Sequence, residues 1–187
     1  MLETWDDHAS GELEPLREDV RTRLPRALED WPELSAETVT VARLDPKHDD
    51  TNVNAQAGMV NRIIYLPANT VTSWVTFYHE LGHLAIQVRN ENGADLPHTS
   101  EEFCSIFSMA RMPKSLVDTD YVPYLGRPAL RPQRWPYVCQ KALDYRENHR
   151  DYIQQAKDWL RVGEENAEDR AETEPMPADD RDTLTGS

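Results

Sequence analysis

The fold is decided in the middle of the chain by residues 73–88, which read SWVTFYHELGHLAIQV. Apolar side chains recur there at helical spacing, which predicts a packed amphipathic helix over about 71–90. Its apolar stripe consists of Val71, Trp74, Val75, Tyr78, Leu81, Ala85 and Val88. The pentapeptide His79-Glu80-Leu81-Gly82-His83, an HExxH motif, lies at the centre of this helix.

The HExxH spacing has a specific chemical consequence. Residues four apart lie on one helix face, so His79 and His83 can share one metal ion with bonds of about 2.0–2.1 Å. Glu80 is rotated by roughly 100° from His79, which lets it reach a water on the metal without being a ligand. Gly82 leaves the helix surface bare for another element. An HExxH match can also occur by chance on a solvated helix. Here the helix has an apolar stripe, and an acidic residue that could be a third ligand follows it, so we favour a zinc site.

A third ligand has to come from outside the motif, since catalytic zinc sites have three protein ligands and one open position. The sixth position after His83, where one large class of zinc enzymes has a third histidine, is Arg89. Asp95 and His98, in the following loop, remain alternatives. The strongest candidates are Glu101 and Glu102, which begin a helix predicted over 101–111.

Helical geometry favours Glu102 over Glu101 as that ligand. The buried face of the second helix is expected to contain Phe103, Ile106, Phe107 and Ala110. At about 100° per residue, Glu102 lies at the border of this face and Glu101 lies almost opposite it, toward solvent. The alternative role for Glu101 is that of a first-turn acid that complements the helix dipole.

The rest of the chain predicts an α+β domain with a small sheet, an active-site helix pair and a long C-terminal helix. Strands are expected at 37–44 and 59–66, a loop at 45–57 and an irregular but ordered segment at 114–136. An N-terminal helix is expected at 12–30, after frayed residues 1–10, and a long helix at 137–162. We therefore divide the chain into an N-terminal helical segment (1–36), the main domain (37–163) and a disordered acidic tail (164–187).

Composition narrows the functional classes. The 187 residues carry a net charge of −14, which argues against direct binding to nucleic acid or to an anionic membrane. The sequence shows no apolar run long enough to span a bilayer, and its acidic start is unlike a signal peptide, so a cytoplasmic location is expected. Cys104 and Cys139 are too few for a disulfide scaffold. Abundant acid with only 4 lysines suggests a halophilic environment.

The HELGH motif, followed by a second helix that runs from Glu102 to Met112-Pro113, resembles the ImmA/IrrE family of zinc metallopeptidases. The resemblance covers about residues 60–113 and aligns Glu102 with the family's zinc-binding glutamate. Two segments depart from the family pattern: residues 103–107 replace its usual Ala-Asn-x-Phe-Ala, and Ala110-Arg111 replaces its Leu-Leu. The resemblance implies a minimal zincin-like fold.

The activity implied by this resemblance is hydrolysis of peptide bonds in a partner protein, for which a transcriptional repressor is one candidate. Zn²⁺ would be held by His79, His83 and Glu102, with Glu80 as the general base. A second hypothesis is a zinc-binding regulatory or interaction module with absent or conditional protease activity. Retention of Glu80 favours the enzyme, since a structural zinc site has no need of a base. Oligomeric state has no signal in the sequence.

A peptidase site also needs a surface that binds the substrate and a donor to the oxyanion, and residue spacing does not identify either one. The strand at 59–66 would flank an extended substrate, which places Ile63, Ile64 and Tyr65 beside it or makes them ordinary core residues. Hydrolysis also needs a hydrogen-bond donor for the developing oxyanion. The candidates for that donor are Tyr121, Tyr124, His98 and Tyr65.

Overall fold

The computed structural model of the chain describes residues 4–7, 12–15, 18–43, 55–67 and 71–161. Besides short 3-10 helices, five β-strands and five α-helices follow one another in this part of the chain. They are β1 (Thr4–Asp7), β2 (Glu12–Pro15), α1 (Glu18–Leu28), β3 (Thr40–Arg43), β4 (Gln56–Gly58), β5 (Ile63–Leu66), α2 (Trp74–Glu91), α3 (Glu101–Arg111), α4 (Trp135–Arg146) and α5 (Tyr152–Arg161). The protein is thus a mixed α+β structure. None of the described helices combines the length and the apolar character that a bilayer-spanning segment needs.

The central helix α2 follows its predicted range closely because its ends are capped. The Ser73 hydroxyl accepts from the Thr76 amide at 3.0 Å, and the Asp118 carboxylate accepts from the Trp74 amide at 2.9 Å. Gly93, with φ of +91°, follows the C-terminal end. Helix α3 begins after the Ser100 cap and ends before Pro113, over the predicted residues 101–111. The two helices pack against each other and carry the candidate site.

The main sheet has three strands in the order β3-β5-β4. Strand β5 pairs in parallel with β3, through Thr40 and Ile63, and antiparallel with β4, through Gln56 and Tyr65. Strand β4 begins at the end of the segment predicted as a loop (45–57), and the strand predicted over 59–66 begins only at Ile63. The turn between them contains Arg62 at φ of +54°, whose buried guanidinium donates to the Met59 carbonyl and pairs with Glu91 of α2.

The N-terminal region differs from the predicted helix over 12–30. Strands β1 and β2 pair antiparallel, with Thr4 opposite Pro15, and α1 begins only at Glu18. The alternation of polar and apolar residues in Glu12-Leu13-Glu14-Pro15 is typical of a strand, whereas the spacing of Leu13 and Leu16 is typical of a helix. Because both patterns are present, the helix was wrongly predicted to begin at residue 12. Residues 4–7, expected to be frayed, form the partner strand.

The long helix predicted over 137–162 is two helices. Residues 147–151 are polar and exposed, so they supply no apolar face to bury, and the chain reverses there. Helix α5 then packs against α4, where Tyr145 and Trp159 form an edge-on pair with ring centroids 5.6 Å apart. The acidic tail over 164–187 lies outside the described residues.

Candidate metal site and cleft

The three polar side chains of the HExxH motif are buried in the middle of α2. His79, Glu80 and His83 are only 4%, 6% and 8% exposed. The two imidazoles lie one helical turn apart, with ring centroids separated by 4.8 Å and planes perpendicular. Their Nε2 atoms are 3.2 Å apart. The predicted side-by-side placement of the two histidines is present.

Glu101 supplies an oxygen atom as the third potential ligand beside the two imidazole nitrogens. Its Oε2 atom lies 3.1 Å from His79 Nε2 and 3.0 Å from His83 Nε2, so the three atoms form a nearly equilateral triangle. Glu102 instead points to α5, where its Oε1 atom is 3.5 Å from Lys157 Nζ. The expectation that Glu102 faces the seam between the two helices and Glu101 faces solvent is therefore wrong.

Glu101, and not Glu102, faces the histidines because α3 buries more than one of its faces. Its large aromatic residues also contact elements other than α2: Phe103 contacts Tyr152 of α5, and Phe107 contacts Trp31. The face toward α2 has the small residues Cys104, Ser105 and Ser108. A Cβ atom on Gly82 would lie 3.1 Å from Cys104 Sγ and 3.1 Å from Ser108 Cβ, which shows how closely the helices approach. Glu101 is one turn before Ser105 and shares this face.

Cys104 is a second neighbour of the two histidines. Its Sγ atom and the histidine ring nitrogens lie within 4.8 Å of one another, so the trio could hold a metal ion. The Cys104 thiol, however, donates to the His79 carbonyl at 3.2 Å, and burial raises its pKa well above the ordinary value. A thiol must lose its proton to bind a metal, so the ionised Glu101 carboxylate is the better third donor.

Ser105 fixes the protonation pattern of His79. Its hydroxyl donates its one proton to the Pro123 carbonyl at 2.6 Å. Toward His79 Nδ1, 3.1 Å away, the Ser105 oxygen can therefore only accept, so Nδ1 carries the hydrogen. A neutral imidazole protonated at Nδ1 has a bare lone pair at Nε2, the atom that faces Glu101 and His83. Sequence reasoning missed Ser105, although its place one turn after Glu101 was a usable signal.

The electrostatics of the cluster complement a cation. Burial, followed by the effect of the neighbouring His79, lowers the pKa of His83, which favours its neutral form. Burial, with a smaller contribution from the Glu101 carboxylate, raises the pKa of Glu80 to about 8. Two carboxyl groups and two imidazoles thus lie close together. A divalent cation there would favour the ionised form of both acids.

The cluster opens into a cleft of about 810 Å³. One wall is formed by residues 55–57 at the sheet edge, and another by the segment that contains Thr119, Tyr121, Pro123 and Tyr124. Both tyrosines of that segment, Tyr121 and Tyr124, thus line the same cleft as His79 and His83. His98 and Tyr65, the other two predicted donors, are not among the residues that line the cleft.

The strand beside the cleft is β4 and not β5. Ile63, Ile64 and Tyr65 belong to β5, which is hydrogen-bonded on both sides to β3 and β4, so it has no free edge for an added strand. None of these three residues is among those that line the cleft, so the structure does not place them beside a substrate. Gln56 and Ala57 of β4 border the cleft, and no described strand pairs with the outer edge of β4.

Comparisons of this chain with protein-family models, with curated proteins and with solved structures found no match.

Proposed function

We propose that this chain is a zinc-dependent metalloendopeptidase. The observation that carries the proposal is the triangle of His79 Nε2, His83 Nε2 and Glu101 Oε2, with separations of 3.0–3.2 Å, beside a buried glutamate on an open cleft. Atoms bound to a tetrahedral zinc are about 3.3–3.4 Å apart when the bonds are about 2.0–2.1 Å. The triangle matches this spacing after a shift of a few tenths of an ångström.

The donor chemistry supports zinc in particular. Two imidazoles and one carboxylate with an open fourth position form a familiar catalytic zinc set, whereas magnesium and calcium prefer oxygen ligands. The bare lone pair that Ser105 imposes on His79 Nε2 suits a metal ligand. When bound, zinc would supply Lewis-acid polarisation of a carbonyl and a lowered pKa for water.

Glu80 is the general base in this proposal. It follows the first ligand directly and lines the cleft, but it is not part of the triangle. Its carboxylate takes a proton from the attacking water as the water oxygen bonds to the carbonyl carbon. The same proton then passes to the amide nitrogen as the C–N bond breaks, which yields a carboxylic acid and an amine.

The substrate is proposed to be an extended segment of a partner protein. Strand β4 offers backbone groups along one wall of the cleft, and an extended peptide can pair with such an edge. We further propose a zincin-like arrangement of the ImmA/IrrE type, supported by HELGH and by the helix that ends at Met112-Pro113. Placing the ligand at Glu101 moves it one residue from the family register, which is a further departure.

The test of hydrolysis uses the zinc-loaded chain and a proteome-derived peptide library. Mass spectrometry is expected to reveal new peptide termini, which disappear when zinc is chelated and return when zinc is restored. A chain that binds zinc and produces no new termini would contradict the peptidase and leave the zinc-binding regulatory module.

Replacement of Ser105 by alanine is expected to weaken zinc binding roughly 10- to 100-fold, the usual effect of losing a group that orients a ligand. Without the hydroxyl, His79 can turn or adopt the other tautomer. Competition with a chromophoric chelator measures the affinity. Ser108→Ala, which removes a buried hydroxyl from the same face of α3, is the matched control. Equal affinities for the two variants would contradict the role of Ser105.

A further inference from the structure

We propose that Tyr124 is a catalytic residue whose phenol donates a hydrogen bond to the carbonyl oxygen of the peptide bond being cut. The inference rests on the proposed peptidase function and assigns a specific donor within that site. Hydrolysis places negative charge on this oxygen, and a donor already in position stabilises the charge without reorganisation.

The backbone of Tyr124 is held in an unfavourable conformation. Its φ of +59° lies in the left-handed region, which a bulky residue rarely adopts. Arg62, the other described non-glycine residue with positive φ, has a buried side chain bonded to Glu91 and the Met59 carbonyl, which accounts for its conformation. The Tyr124 side chain is 53% exposed, so burial offers no such account. Strain of this kind concentrates at functional sites.

The turn that contains Tyr124 is firmly anchored. Val122 and Gly126 exchange backbone hydrogen bonds of 2.8 Å and 2.9 Å. The side chains of Val122 and Leu125 are buried in the core on either side of the exposed tyrosine. The phenol is therefore presented to the cleft by a fixed turn.

The same turn is connected to the proposed metal ligand in two ways. The ring of Tyr124 stacks on the imidazole of His79, with centroids 5.5 Å apart and planes 24° apart. The Ser105 hydroxyl joins the Pro123 carbonyl to His79 Nδ1, so one side chain positions both the turn and the imidazole. The position of Tyr124 is thereby set relative to the triangle.

The chemistry of the cleft also favours a phenol. Among the described residues that line the cleft there is no lysine or arginine, and the two acidic side chains there are those of Glu80 and Glu101. The phenol of Tyr124 supplies a neutral O–H donor beside them. Tyr121 also lines the cleft, but Tyr124 is the tyrosine that stacks on His79.

The experiment compares zinc-loaded wild type, Tyr124→Phe and Tyr121→Phe, with Tyr137→Phe, an exposed tyrosine on α4, as the control. A peptide from the library screen gives kcat and KM. For Tyr124→Phe we expect kcat to fall roughly 10²- to 10³-fold, with KM and zinc affinity nearly unchanged. The phenylalanine preserves the stack on His79, so loss of folding is not expected.

A second readout does not depend on turnover. Benzohydroxamate binds catalytic zinc through oxygens that occupy the positions of the carbonyl oxygen and the water. Its affinity is expected to fall roughly 10- to 100-fold in Tyr124→Phe and to stay unchanged in Tyr137→Phe.

The outcomes separate the two proposals. If Tyr124→Phe retains wild-type kcat and hydroxamate affinity, or if Tyr121→Phe is the variant that loses them, the role of Tyr124 is overturned and the peptidase stands. If the zinc-loaded wild type neither cuts peptides nor binds benzohydroxamate, the peptidase is overturned together with the role of Tyr124.

Discussion

Replacing Glu101 by glutamine is expected to weaken zinc binding by roughly 10²- to 10³-fold. Zinc bound by four protein ligands is stabilised by about 10–16 kcal/mol, so one ligand contributes roughly a quarter of that free energy. Glutamine keeps the size of the side chain but removes its negative charge. The dissociation constant can be measured by competition with a chromophoric chelator.

Glu102→Gln is the matched control for this variant. It makes the same chemical change one residue further along α3, on a side chain that faces Lys157 and not the histidines. Its zinc affinity is expected to equal that of the wild type. If Glu102→Gln were the variant that lost zinc, the position of Glu101 in the site would be wrong, and the register of the family resemblance would be right.

Replacing Glu80 by glutamine is expected to slow hydrolysis by roughly 10²- to 10⁴-fold while zinc remains bound. General bases contribute about 10²- to 10⁴-fold to rate, and an amide cannot take the proton of water. The buried side chain keeps its shape, so the fold should survive. Initial rates on a peptide from the library screen measure the loss, and metal analysis of the same sample measures the zinc content.

Two results would contradict the role of Glu80. Loss of zinc together with activity would make Glu80 a ligand. Retained activity would assign the proton transfer to another group. Glu102→Gln again provides a control for the change from acid to amide, and it is expected to retain the wild-type rate.

The sequence was most informative where local signals agreed. For α2, an apolar stripe coincides with the HExxH motif, and for α3 a serine cap and a proline stop mark both ends. The juxtaposition of His79 and His83 follows from helix geometry alone. These features depend on residues close together in the chain, so a single sequence is sufficient to predict them.

The choice between Glu101 and Glu102 depended on packing between distant elements. Neighbouring helix positions differ by about 100°, so the face of α3 that packs against α2 determines which of the two glutamates points toward the histidines. The large residues Phe103 and Phe107 suggested one face, but they contact α5 and Trp31. The face of α3 that packs against α2 has the small residues Cys104 and Ser108 opposite Gly82, because the two helices approach closely there.

The other differences have similar causes. The edge position of β4 depends on the parallel pairing of β5 with β3, a strand distant in sequence that periodicity cannot identify. Strands β1 and β2 are close in sequence, and they were missed because the leucine spacing there also fits a helix. The role of Ser105 depends on the Pro123 carbonyl, which lies in a segment without a repeating pattern. The break between α4 and α5 was detectable in principle, since residues 147–151 contain no apolar side chain.

The central claim is that His79, His83 and Glu101 together bind zinc. Its most direct test is a titration of zinc into metal-free wild-type protein, with the bound metal measured by mass spectrometry. One tightly bound zinc per chain is the predicted result, with affinity lost in the variant His79→Ala. If the wild type binds no zinc, the triangle is only a set of buried polar contacts, and the proposed peptidase is wrong.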